Sequence, residues 1–191
     1  MKNEKSFIIK FSLDNGLSPD RNSIKRILSD MEGMYLDNSK LKEMLNSGDI
    51  VVYEFYDLGM PENPGELAYG TTILYPGKVG NEYFMTKGHF HAKIDTAEIY
   101  YCIKGHGYLL MENPEGEVEF QEMKPGLSVY VPPRFAHRSI NIDNNEPLIM
   151  FFAFRADAGH DYKTIETKGF RKLIIERDGK PEIIDNPKWK Q

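Results

Sequence analysis

The chain has 191 residues, 40% hydrophobic and 28% charged, which suits one sizeable domain with a real core. Its formal net charge of −5, with no basic stripe, argues against a nucleic-acid partner; a phosphorylated small molecule stays possible, because a phosphate needs only a local nest of donors. One cysteine, Cys102, rules out a disulfide within the chain, no apolar run nears the roughly 18–20 residues of a membrane span, and the start MKNEKSFIIKFSLDNG lacks a cleavage site, so a cytoplasmic protein is expected.

Residues 6–12 (SFIIKFS) read as a strand closed by Asp14, Asn15 and Gly16. Residues 23–31 place Ile24, Ile27, Leu28 and Met31 at helical spacing, with Asn22 or Ser23 as cap and Gly33 beyond the end. A second short helix spans 39–45, with Leu41, Met44 and Leu45 on one face, Asn38 as its cap and Gly48 as its stop. From residue 50 the texture becomes β-branched and aromatic. Strands are predicted over 50–56, 67–75, 98–103, 107–112, 118–122, 128–131, 137–142 and 148–154, and 82–86 leads into a histidine pair. Short strands at this spacing suggest a sandwich or barrel. A short helix follows over 161–168, then a hairpin (172–176 and 182–184) turning at Asp178-Gly179. The expected organisation is one domain: residues 1–48 decorate it, 49–155 form the barrel, and 156–191 add a helix and hairpin.

The chemistry concentrates in GHFHAKIDTAEIYYCIKG, residues 88–105. On a strand, side chains at i and i+2 share a face, so His89 and His91 can converge on one ion. After a turn, Glu98 can return a carboxylate to that face. His137, opening a strand after Pro132-Pro133, can lie beside the first pair. Three imidazoles and a carboxylate suit iron, nickel, zinc or manganese, and four ligands leave positions open for catalysis. Tyr100 and Cys102 share the face of Glu98 by alternation; Cys102 reads as a small buried filler. Thr86, Lys87 and Gly88 offer a hydroxyl, a cation and a backbone N–H to a phosphate, and Tyr53, Thr72 and Tyr162 could add hydroxyls.

These segments resemble the paired motifs of the cupin superfamily: His-x-His, Glu and a closing Gly105, then Gly126, Pro132, His137 and Asn141. Two features depart from it. Six residues separate His91 from Glu98 where three or four are usual, and Arg134 stands at a usual glycine. The longer gap matches cupin-type phosphoglucose isomerases, known mainly from archaea. LSDMEG (28–33), LYPGKVG (74–80), TKGHFHAK (86–93), ADAGHDY (156–162) and DNPKW (185–189) carry that likeness, which extends over most of the chain after about residue 27.

The resemblance implies a mostly β, single-domain cupin (a jelly-roll barrel) that interconverts glucose 6-phosphate and fructose 6-phosphate in glycolysis and gluconeogenesis. It implies one divalent metal per subunit, Fe2+ foremost with Mn2+, Ni2+ or Zn2+ as alternatives, held by His89, His91, Glu98 and His137. Glu98 is also the candidate base. Sugar-phosphate contacts fall at Tyr53, Thr72, Thr86, Gly88, Tyr100, His160 and Tyr162, and Phe154 stands where relatives carry Tyr. A homodimer is implied, with strands such as 50–56 available to pair across a two-fold axis. The alternatives from the residues are another metal-dependent cupin enzyme (a dioxygenase or sugar epimerase) and a ligand-binding cupin without catalysis.

Overall fold

The structure is a computed structural model and describes residues 6–190. In chain order its strands are β1 (Ile24–Ile27), β2 (Val51–Phe55), β3 (Leu67–Leu74), β4 (Lys78–Val79), β5 (Glu82–Tyr83), β6 (Phe90–His91), β7 (Glu98–Lys104), β8 (Gly107–Glu112), β9 (Val118–Met123), β10 (Ser128–Val131), β11 (Ala136–Asn141), β12 (Leu148–Arg155), β13 (His160–Asp161), β14 (Lys172–Arg177) and β15 (Lys180–Asp185). The α-helices are α1 (Asn38–Ser47) and α2 (Tyr162–Lys168).

A six-stranded antiparallel sheet runs in the order β1-β2-β3-β12-β7-β10, and a three-stranded sheet runs β11-β8-β9. Side chains from both sheets enter one hydrophobic cluster: Tyr100, Cys102, Met150 and Phe152 from the first, Leu109, Met111, Met123 and Ile140 from the second. This is the expected mostly β jelly-roll barrel, with the core between its two sheets. A further sheet, β15-β14-β5-β4, closes one side. Its hairpin turns at Asp178 (φ 52°) and Gly179 (φ 74°), the paired left-handed residues that a two-residue hairpin favours.

The N-terminal expectations need correction. Residues 6–12 join no ladder. Ile8 is 93% exposed, so a strand there would gain little burial. The backbone instead takes local partners: Lys10 N–H donates to Asp20, and Gly16 N–H to Ser12 O. The helix expected over 23–31 does not form. Ile24–Ile27 pairs with β2 (Ile24 opposite Phe55, Arg26 opposite Tyr53), and a 3-10 turn, Leu28–Met31, follows. Leu28 and Met31 are three apart and fully buried, as a turn of three residues demands. The strand-and-turn combination mimics helical spacing. α1 is capped by Asp37, which accepts from Lys40 N–H at 2.8 Å, rather than by Asn38.

Candidate active site

β7 alternates cleanly. Glu98, Tyr100 and Cys102 are buried, while Ile99 and Tyr101 face outward. The approach to His89 turns at Gly88 with φ 75°, where a Cβ would lie 2.7 Å from the Phe170 ring and 2.8 Å from Arg138. Glycine is therefore needed there for both conformation and space. His89 then bridges His137 antiparallel: His89 N–H donates to His137 O at 3.3 Å and His137 N–H returns to His89 O at 3.1 Å. β6 pairs with β13 so that His91 lies opposite His160.

The three strand segments and β7 bring His89, His91, Glu98 and His137 together with ligand atoms within 4.8 Å of one another. Glu98 Oε2 lies 3.2 Å from His91 Nε2 and 3.0 Å from His137 Nε2. Nδ1 of His91 and of His137 each lies 3.4 Å from a backbone carbonyl, Gly159 O and Phe135 O. With Nδ1 protonated to serve those carbonyls, each Nε2 turns a lone pair toward the carboxylate. The three Nε2 atoms and Glu98 Oε2 are buried without a well-formed hydrogen bond. Converging lone pairs on a buried carboxylate repel one another unless a cation sits among them. The donor set thus fits a divalent metal.

Burial alone would raise the Glu98 carboxyl, but a proton on His137 or His91 in place of a metal outweighs it and holds the carboxyl below the usual carboxylate range. Burial, reinforced by His137 and His160, lowers His89 well below its ordinary value and keeps it neutral, as a ligand must be. Burial and then the Glu98 charge raise Tyr100. Burial and then His91 lower His160.

Beside the cluster lies a cavity of about 200 Å3. Tyr53, Thr72, Thr86, Gly88, Tyr100, His160 and Tyr162 all line it, with His89, Glu98 and His137 at its floor. His91 sits behind, 4% exposed. Lys87 does not reach this space: its ammonium pairs with Glu166 at 2.9 Å, and only its backbone N–H faces inward, 3.5 Å from Tyr53 Oη. Thr86 is pinned by its hydroxyl oxygen accepting from Ser139 N–H at 3.0 Å. Phe154 packs its ring 5.1 Å from His91 and 5.4 Å from His160 and offers no hydroxyl.

Sequence reasoning missed Ser139, Tyr69, Asp57 and Glu62, which also line the cavity. Ser139 was readable, being two residues after His137 on β11. Asp57 and Glu62 come from the segment after β2, where no periodicity marks an inward direction.

The family model described as glucose-6-phosphate isomerase (GPI) matches residues 25–190. A glucose-6-phosphate isomerase of Thermococcus litoralis is 50% identical over 100% of both chains. One of Sinorhizobium medicae is 42% identical over 85% of this chain and 77% of its own. Among solved structures, an oxalate oxidase superposes with TM-score 0.48 and 14% identity, over 61% of this chain and 57% of that one.

Proposed function

The chain belongs to the glucose-6-phosphate isomerase family, and from that premise we propose that it interconverts glucose 6-phosphate and fructose 6-phosphate at the histidine–glutamate cluster. The carrying observation is the four buried donor atoms left without partners beside a sugar-sized cavity. His89, His91, Glu98 and His137 would hold one divalent ion, Fe2+ foremost, with Mn2+, Ni2+ or Zn2+ as alternatives. Bound there, the ion would supply Lewis-acid polarisation of the substrate oxygens at C1 and C2.

The chain's own groups would do the rest. Glu98 moves a proton between C1 and C2 through an enediol. Tyr100, kept protonated by burial and by Glu98, donates to a substrate hydroxyl. His160 faces the same cavity and serves ring opening. The phosphate is held by neutral donors: the hydroxyls of Tyr53, Thr72, Thr86 and Tyr162 and the Gly88 N–H. Lys87 contributes position through its backbone, since its ammonium is engaged elsewhere.

The assembly is a homodimer. β2 already has β1 and β3 on its two edges, so strand pairing through residues 50–56 is not the route. The exposed apolar outer face of the six-stranded sheet supports an alternative contact.

The test is a metal panel on chelator-stripped protein. Stripped protein should convert no glucose 6-phosphate, and Fe2+, Mn2+ or Ni2+ should restore the activity. Full activity after verified metal removal overturns the metal reading. Oxygen uptake without isomerisation, with any metal, overturns the isomerase reading. Deuterium from heavy water should enter C1 or C2 of the product, an outcome that rules out a pure hydride shift.

A further inference from the structure

A second cavity, of about 410 Å3, is lined by Arg138, by Phe170 and by the end of the chain from Asn186 to Lys190. Arg138 is its buried cation. It follows His137 on β11 and points the other way by alternation. It is 3% exposed, and its guanidinium lies 4.5 Å over the Phe170 ring. One Nη donates to Lys87 O at 2.5 Å, while Nε is buried without a partner. Among the described residues no carboxylate comes within the 4.0 Å of an ion pair; Glu82 and Glu112 act on it only from further away. A buried guanidinium with no carboxylate in direct contact keeps donor capacity that is costly to leave unused.

The cavity walls add to this positive charge. Lys168, Lys188 and Asn186 line it with Arg138, and its one acid, Glu166, is engaged by Lys87. The Lys188 ammonium donates to two carbonyls, Tyr35 O at 2.9 Å and Leu36 O at 2.8 Å, and forms no ion pair among the described residues. In a chain of net charge −5, this is a local concentration of cations around one open cavity. We propose that this cavity binds a small oxyanion, inorganic phosphate or the phosphoryl end of a metabolite, on Arg138, Lys168 and Lys188. The guanidinium fork and two ammonium groups match the oxygens of such an anion.

Trp189, the sole tryptophan, lines the same cavity and reports on it. The experiment titrates inorganic phosphate, and separately glycerol phosphate, into the whole chain at ionic strength fixed with chloride. Tryptophan fluorescence and melting temperature are followed together. A saturable fluorescence change with a rise in melting temperature is expected. Binding of both anions means that the phosphoryl group is recognised; binding of inorganic phosphate alone means that the free ion is. Arg138→Met and Lys168→Ala should each weaken binding about tenfold or more. Lys168 is exposed at a helix end, so it carries the test should the arginine variant not fold. Thr86→Val, altered in the other cavity, should keep the response. Three results overturn the proposal: no response beyond chloride in either signal, a response undiminished by Lys168→Ala, or a response that Thr86→Val abolishes.

Discussion

Glu98 is the one carboxylate among the four clustered donors, and the proposed reaction would use it as both ligand and base. Glu98→Gln keeps the shape and removes the charge. We expect kcat to fall about 10²–10⁴-fold, with metal content reduced but not abolished, as measured by steady-state rates and metal analysis on the same sample. An unchanged kcat at full metal content would exclude it as base. A second buried carboxylate tests the core. Burial pushes Glu82 up to about 7 from 4.5, against the Leu36 N–H that it accepts at 2.9 Å. A raised folded value means that folding takes up a proton between those two pH values. The stability tied to that proton is complete below 4.5 and is lost as pH rises towards 7. Relative to Glu82→Gln, the native chain should therefore lose on the order of 3 kcal/mol between pH 4.5 and 7, read from urea unfolding at a series of pH values. Parallel pH curves would show that Glu82 does not titrate there. At this scale the gathering of His89, His91, Glu98 and His137 was legible, because strand alternation sets the His-x-His geometry. The outward direction of Lys87 was not legible, because the turn at Gly88 (φ 75°) interrupts the alternation before His89.

The short elements do most to place the cavity residues. α2 begins at Tyr162, which lines the cavity, and Asp161 caps it by accepting from Thr164 N–H at 3.2 Å and from its hydroxyl at 2.6 Å. Asp161→Ala should cost about 1 kcal/mol in urea unfolding. It should also raise KM for the sugar phosphate more than it lowers kcat, since it loosens Tyr162 and leaves the cluster alone. A KM that stays fixed would separate α2 from substrate binding. The barrel strands and the last hairpin were legible to within a residue or two, because alternation and turn residues agree there. The pattern at 23–31 misled because Leu28 and Met31, three apart, fit a 3-10 turn as well as a helix, and the partner that makes 24–27 a strand lies some 27 residues away in β2. The two-residue strands β6 and β13, which seat His91 opposite His160, are too short to leave any periodicity.

Across the whole molecule, the two faces of the six-stranded sheet differ in kind. The inner face holds the core and the site. The outer face carries an apolar row that crosses three strands in register: Tyr130 opposite Ile99, and Ile99 opposite Ala153. Tyr101 and Phe151 form a second row beside it. Tyr130 is 60% exposed, Tyr101 46% and Ile99 43%, so the described residues leave about half of each uncovered. An exposed patch this continuous marks a contact with another protein, and a sheet face can meet its own copy about a two-fold axis. Light scattering should give twice the 22.0 kDa chain mass. Replacing both Ile99 and Tyr101 by Glu sets like charges against the axis and should return the mass to 22.0 kDa. The two changed side chains point away from Glu98 and Tyr100, so the monomer should still bind metal. A native chain that scatters as a monomer at all concentrations would leave this face without its proposed occupant. A double variant that remains a dimer would place the two-fold contact elsewhere on the barrel.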